Sequence, residues 1–392
     1  MSEKRESGDM TKLRELLETK VERGTLPGAV ALVARGGTVE VEAAGFVDLE
    51  RSAPMTRETI FRLASVSKPI TAAGVMLLVD DGLIALDDPI DRWLPELAEP
   101  RVARTPDGPL DDTVPADRPI TVFDLLTFRS GWGFTADWQS PVNQANFAMV
   151  RDGMIPQDYP PPEQYLAQLA RIPLLSQPGE GWQYNLGSEL QSVLIARVSG
   201  TPLPEFLTER LFEPLGMADT GFAVPAAKRD RFTSLYRTDP ATGELSLADR
   251  PDGKWNTVPV FPSGAGGMVS TVDDWYAFGR MLLNGGAANG RQLLSAESIR
   301  LMTTDHLTAQ QRAASELFLE GQGWGFGGSV DVADRDPWNV PGRYGWVGGS
   351  GTAAHIIPAT GAVTILLTQA SMTGPTPPAV MREFWRYAAE GE

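Results

Sequence analysis

Ser65 and Lys68 stand three residues apart in Ser65-Val66-Ser67-Lys68, and this pair is the most chemically suggestive feature of the chain. The segment runs into Pro69-Ile70-Thr71-Ala72-Ala73-Gly74-Val75-Met76-Leu77-Leu78-Val79, an apolar stretch with proline in its first turn, where helix starts favour it. Helical spacing puts both side chains on one face, at the end where backbone N–H groups lack partners. A serine there can attack a carbonyl if an amine one turn away takes its proton. The amine must be partly neutral, and burial beside an apolar helix moves a lysine in that direction. The bare pattern is weak, since chance supplies roughly a third of one such pair in a chain of this composition. Context strengthens it: of the six lysines, only Lys68 lies in a strongly apolar segment, and buried lysine is rare without a reason. The alternative makes Ser65 a helix cap and Lys68 a cation reaching out to solvent.

Composition removes most competing chemistries. The 392 residues include no cysteine, so thiol nucleophiles, disulfides, thiolate zinc sites and Cys-ligated iron–sulfur clusters are all excluded. With only His306 and His355, no three-histidine metal site can form, and there is no His-Glu-x-x-His or other metal spacing. No metal and no cofactor is expected. Asp305-His306 follows a helix end and reads as surface, and His355 alternates within a strand run and reads as a sheet residue. A Gly-x-Ser-x-Gly elbow is missing, which argues against an α/β-hydrolase. Gly323-x-Gly325-x-x-Gly328 imitates a dinucleotide fingerprint, but strand rather than helix is expected after it. The net charge of −16 argues against nucleic-acid partners and anionic membranes. The charged first twenty residues are no secretory signal, and no run is long and apolar enough for a membrane helix. A cytoplasmic location is the expectation.

The elements that must position Ser65 and Lys68 follow from periodicity. Leu13, Leu16, Leu17 and Val21 predict an amphipathic helix over 10–23. Ala29–Ala34 and Thr38–Val47, joined across Arg35-Gly36-Gly37, predict an antiparallel hairpin. From about Ile60 helical patterning runs for some 200 residues, interrupted by the proline-rich stretches 100–119 and 156–162, expected at a cleft rim or lid. Thr271–Leu283 reads as a helix with Asp273 and Asp274 in its first turn. Strand-like runs follow at 324–332, 344–349, 353–357 and 363–368, before a closing helix over 377–389. Strands at both ends with helices between imply an α+β fold, an antiparallel sheet built from both termini around an inserted helical domain. The boundaries expected are 1–60 with 261–392 for the sheet domain and 61–260 for the helical one, with the active site in the cleft between them.

Phe61-Arg62-Leu63-Ala64-Ser65-Val66-Ser67-Lys68-Pro69-Ile70-Thr71 resembles the nucleophile segment of the serine β-lactamase and DD-peptidase superfamily. More closely it resembles the class C β-lactamase-like carboxylesterases called family VIII. The resemblance spans roughly residues 20 to 390 and includes further ordered landmarks. Pro178-Gly179-Glu180-Gly181-Trp182-Gln183-Tyr184-Asn185-Leu186-Gly187 is similar to the element carrying the family's catalytic tyrosine. Phe261-Pro262-Ser263-Gly264-Ala265-Gly266-Gly267-Met268 and Gln322-Gly323-Trp324-Gly325-Phe326-Gly327 are family-like, and Tyr344-Gly345-Trp346-Val347-Gly348-Gly349 stands where the lactamases carry Lys-Thr-Gly. The resemblance implies the β-lactamase-like fold, an acyl-enzyme on Ser65, and Tyr184 as general base or proton shuttle, with Lys68 as the cation beside its phenol. It implies an oxyanion hole from the backbone N–H groups of Ser65 and Gly349, the latter within one position of register.

Departures from the family pattern bear on the substrate. The amide of Tyr-x-Asn is displaced by one residue to Asn185. Trp346 replaces the cation that ordinarily meets a β-lactam or peptide carboxylate. An indole supplies no charge but can pack on an apolar acyl or alcohol group, with Arg343 as a partial substitute for the lost cation. Phe128, in Leu125-Leu126-Thr127-Phe128-Arg129-Ser130-Gly131, stands where the family often has histidine. Substrate contacts are expected from Trp346, Gly348, Asn185 and Phe134. The expected activity is hydrolysis of small carboxylic esters, with no partner beyond that small molecule. The same machinery leaves open β-lactam hydrolysis, D-amino-acid peptidase or amidase activity, acyl transfer, and a catalytically silent ligand-binding relative.

Overall fold

In the computed structural model, residues 11–390 are described. Helix α1 (Lys12–Glu22) buries Leu13 and Leu17, and the Thr11 hydroxyl accepts the Arg14 N–H as its cap. Strand β1 (Gly28–Arg35) then turns through Gly36-Gly37, both at positive φ, into β2 (Thr38–Gly45). Arg35 pairs with Thr38, which leaves the two-residue loop that favours glycines.

The remaining strands come from the C-terminal third: β3 (Gly323–Trp324), β4 (Ser329–Val330), β5 (Tyr344–Gly348), β6 (Thr352–Ile357) and β7 (Ala362–Thr368). Together they form one antiparallel sheet in the order β3-β4-β5-β6-β7-β1-β2. The first strand of the chain therefore pairs with the last, from Ala29 opposite Thr368 to Ala34 opposite Val363. Every residue of β7 and all but the last of β1 are buried, so both strands read as continuous apolar runs. Edge strand β2 is instead exposed or half-buried along most of its length.

Helices dominate the middle of the chain. The two that matter most are α2 (Lys68–Asp80) and α3 (Leu186–Ser199), packed against one another. Residues 68–78 of α2 are all buried, as expected of a helix apolar on every side. Helix α4 (Val272–Leu283) is capped by Thr271 and lies on β6 and β7, while α5 (Ala379–Glu390) joins α1 through the Lys20–Glu383 ion pair at 2.7 Å. No helix among the described residues is long and apolar enough to cross a membrane.

The two proline-rich interruptions behave differently. Residues 100–119 fold into a small ribbon, Arg101–Ala103 paired with Thr113–Pro115, away from the cleft described below. Residues 156–162 supply Pro156 and Tyr159 to its wall. The nucleotide-fingerprint glycines lie in the β3–β4 hairpin, with no helix start beside them.

Gly327, in that hairpin, ties the sheet to α2. It sits at φ +74°, and a Cβ there would stand 2.5 Å from the Lys68 carbonyl oxygen. Substituting Gly327→Ala imposes left-handed backbone on an alanine and pushes α2 away from β3 and β4. We expect a loss of about 1–3 kcal/mol in urea denaturation. An unchanged denaturation midpoint would show that hairpin and helix are not locked together.

Candidate active site

Ser65 lies in a short 3-10 turn, Ala64–Ser67, that feeds directly into α2. The turn is held from the sheet side: Ser350 Oγ donates to Arg62 O and Thr352 Oγ1 to Leu63 O, both at 2.7 Å. Gly348, the last residue of β5, permits this approach, since a Cβ would stand 2.2 Å from Thr352 Oγ1 and 2.4 Å from Leu63 O. Ala64, immediately before Ser65, is at φ +47°, a strained value for a residue with a Cβ.

Lys68 has no exposure to solvent. Its ammonium donates to Ser65 Oγ at 2.8 Å and to the Ala265 carbonyl at 2.8 Å, and it lies 4.8 Å from the centre of the Tyr184 ring. Burial pushes Lys68 well below the usual lysine range, partly opposed by the nearby Glu189 carboxyl. The neutral amine that proton abstraction requires is thus favoured.

Tyr184 is fixed at both ends. Its backbone exchanges hydrogen bonds with Phe134, each 2.9 Å. Its hydroxyl accepts the Trp346 indole N–H at 2.6 Å and interacts with Ser65. Trp182, Phe318, Trp346 and Phe128 surround the ring with centroids 5.3–6.2 Å apart across the cluster. Burial pushes the phenol up to about 12, against the lowering by the hydrogen bonds from Ser65 and Trp346. Tyr184 therefore rests as a neutral phenol, suited to relaying a proton, and Lys68 is the stronger candidate for the base. Asn185 follows at φ +83° and ψ −60°, within a γ-turn closed by the 3.2 Å bond from Leu186 N–H to Tyr184 O. α3 begins there.

A cleft of about 160 Å³ opens on Ser65 and Tyr184. Asn185, Phe134 and Gly349 line it as expected, but Gly348 and Trp346 do not. Trp346, expected to pack on substrate, is instead 4% exposed and spends its N–H on Tyr184, because β5 directs the indole into the aromatic cluster. Gly348 is covered by Leu63 and Thr352. Arg343 is no substitute cation either: it is buried against Asp331 at 3.7 Å and stacked on Trp385 at 4.9 Å. Arg62 lines the cleft as its one lysine or arginine, but it is held by Asp249 and packed on Phe232 and Trp255.

Neither histidine is at this centre. His355 is buried in β6 as expected. His306 is half-buried: it is stacked on Phe326 at 4.8 Å, and one ring nitrogen meets Leu301 O at 2.8 Å. Among the described residues, no group of three His, Cys, Asp or Glu is arranged to hold a metal.

Sequence reasoning missed Glu189 and Ser263. Both line the cleft, both are buried, and Ser263 Oγ donates to Glu189 Oε1 at 2.8 Å. Burial pushes the Glu189 carboxyl above the usual range, partly opposed by Ser263 and Lys68. The signal was available: Glu189 is an acid among Leu186, Leu190, Val193 and Leu194, just as Lys68 is a base among apolar residues.

The family model described as Beta-lactamase matches residues 13–385. Protein Rv1367c of Mycobacterium tuberculosis is 38% identical over 371 residues, covering 92% of this chain and 89% of that protein. Esterase EstB of Burkholderia gladioli is 32% identical over 382 residues, covering 90% and 88%. Among solved structures, EstCE1, described as a hydrolase with promiscuous acyltransferase activity, superposes with TM-score 0.79 at 27% identity over 97% of both chains. The α+β fold is the β-lactamase/DD-peptidase fold.

The bond from Trp346 to Tyr184 gives a direct test. Trp346→Phe retains an aromatic ring but removes the donor. Losing one such hydrogen bond should lower kcat by about five- to tenfold, with KM and thermal stability little changed. Wild-type kcat in this variant would show that the indole N–H does not assist Tyr184.

Proposed function

The chain belongs to the beta-lactamase family, and from that membership we propose that it is a serine hydrolase of small, neutral carboxylic esters, in the family VIII carboxylesterase manner. The observation that carries this reading is the 2.8 Å hydrogen bond between a fully buried Lys68 and Ser65 Oγ, at the floor of a cleft that Tyr184 also lines. Ser65 Oγ attacks the ester carbonyl as Lys68 accepts the hydroxyl proton. The oxyanion meets the backbone N–H groups of Ser65 and Gly349. Tyr184 passes a proton to the departing alkoxide, regaining one from Lys68, so alcohol leaves and the acyl group stays on Ser65. Water then repeats the sequence in reverse and releases the carboxylic acid. The chemistry asks for no cofactor.

Neutral substrates are favoured because the cleft offers no free cation. The position where the lactamases carry a lysine is a buried indole, and Arg62 is already paired with Asp249. A β-lactam or peptide carboxylate would be desolvated there without an opposite charge. The apolar walls formed by Phe134, Val150, Met154 and Trp255 suit a short acyl or alkyl group. An alcohol that enters in place of water would be acylated instead. The similarity to EstCE1, with its described acyltransferase activity, supports that second outcome of the same acyl-enzyme.

Ser65→Ala should remove nearly all turnover of p-nitrophenyl acetate or butyrate while the protein stays folded, and full activity in that variant overturns the mechanism. Side by side, a chromogenic cephalosporin should be cleaved at least about a hundredfold more slowly than the ester, given the missing counter-charge. Because Lys68 must lose its proton to act, kcat/KM should rise with pH along a limb well below the usual lysine value of about 10.4. No falling limb is expected below pH 10, because the Tyr184 phenol keeps its proton there. A flat profile would remove Lys68 from the role of base.

A further inference from the structure

Glu189 is the one carboxylate-bearing residue that lines the cleft, and the acyl-transfer sequence above does not use it. It lies five residues beyond Tyr184 on the first turn of α3 and is 1% exposed. One oxygen, Oε1, accepts the Ser263 hydroxyl at 2.8 Å. The other, Oε2, is buried with no partner at good hydrogen-bonding geometry, although the Ala265 N–H and the Tyr159 hydroxyl lie near enough to favour the ionised carboxyl. A carboxylate so placed is expensive to leave ionised unless a cation compensates it. Lys68 is the cation whose charge acts on it. The loop 262–267 holds both partners, since Ser263 donates to Glu189 and the Ala265 carbonyl accepts from Lys68.

The other groups around Glu189 do not replace that cation. Tyr159, on the segment before the helix that carries Tyr165, and Tyr165 itself are buried phenols that interact with the carboxyl and carry no charge. Tyr184, at the entry to α3, is likewise neutral. Asp152 acts on Tyr159 from further along that side. Arg62 lines the same cleft but is engaged by Asp249. Lys68 and Glu189 are thus two buried groups of opposite charge held by the same loop, with no other counter-charge among the residues named.

We propose that Glu189 is a positioning residue of this centre: its buried carboxyl is the counter-charge of Lys68 and governs when the Lys68 amine is free to take the Ser65 proton. With Glu189 ionised, the ammonium form of Lys68 is held and the amine waits. With the proton on Glu189, the amine is free and the pair stays neutral. As Ser65 Oγ bonds to the carbonyl carbon, its proton completes a Lys68 ammonium opposite the new oxyanion, so charge remains balanced within the cleft. Ser263, as donor to Glu189, adjusts this balance by favouring the ionised carboxylate.

The inference rests on the reading of Ser65 as nucleophile and Lys68 as base, and the test separates the two. Glu189→Gln removes the counter-charge at nearly constant shape, so the Lys68 ammonium is held less tightly. In kcat/KM profiles from pH 5 to 10 with p-nitrophenyl acetate, the acid limb should move to lower pH by about one unit or more. Glu189→Asp, which keeps the charge, should restore the limb toward its wild-type position. Ser263→Ala, which favours the protonated carboxyl, should shift the limb in the same direction by less, and serves if Glu189→Gln does not fold. A purely structural role would lower activity evenly across pH, and an unmoved limb, or one moved to higher pH, overturns the inference. If Ser65→Ala remains inactive while the limb stays fixed, only the role of Glu189 falls. If Ser65→Ala retains activity, the underlying mechanism falls with it.

Discussion

Burying an amine governs how this molecule is built. Lys68 is sealed from solvent at the N-terminal end of a helix whose next ten residues are also buried. Water would keep that amine protonated and useless as a base, whereas removal from water disfavours the charged form. The removal is achieved by packing α2 between α3, the loop 262–267 and the β3–β4 hairpin. The amine keeps polar contacts within this packing: Ser65 Oγ from the preceding turn, the Ala265 carbonyl from the loop and the field of Glu189 from α3. An apolar shell alone would leave Lys68 unsatisfied, and a wet one would leave it charged.

The same requirement explains why local geometry around the centre is strained. Ala64 and Asn185, the residues flanking Ser65 and Tyr184, both adopt positive φ, and so does Phe128, which meets the Tyr184 ring edge-on. Such conformations persist only when the surroundings overdetermine them. Here Ser350 and Thr352 clamp the chain before Ser65, and paired backbone bonds with Phe134 clamp Tyr184. The sheet therefore helps set the geometry around Ser65. Its C-terminal strands carry the groups that hold Ser65, and its pairing with β1 binds those strands to the start of the chain.

Legibility in the sequence followed the range of the interactions. The hairpin of β1 and β2, the helix of Ser65 and Lys68, and the strands 344–348, 352–357 and 362–368 all have local periodicity or turn chemistry behind them. That Ser65, Lys68 and Tyr184 belong to one cluster was legible because their residue types suit one chemistry and their segments resemble a known family; the structure brings the three side chains together. Contacts between segments were not readable. Glu189 meets Ser263 across 74 positions and Ser350 meets Arg62 across 288, and neither separation leaves a periodic trace. Trp346 was placed on the right strand but given the wrong neighbour, because strand position alone does not say which of two apolar volumes an indole fills. His306, past a helix end, is half-buried rather than fully exposed, because Phe123 and Phe326 pack on its ring from distant segments.

The indole of Trp346 links substrate selection to proton transfer. A lysine at this position would bring a second ammonium close to Lys68 and Tyr184, and like charge would depress Lys68 further while offering a site for carboxylates. The indole does neither. It supplies one neutral donor to the Tyr184 hydroxyl and packs into the aromatic cluster, which leaves Lys68 and Glu189 as the buried titratable groups of opposite charge near Ser65. On the proposed mechanism, exchanging an ammonium for an indole changes two properties together: the cleft loses a counter-charge for anions, and Glu189 is left as the charged neighbour that acts on Lys68. A centre arranged in this way suits substrates that bring no charge of their own, because an anion entering the cleft would disturb the balance that keeps Lys68 available.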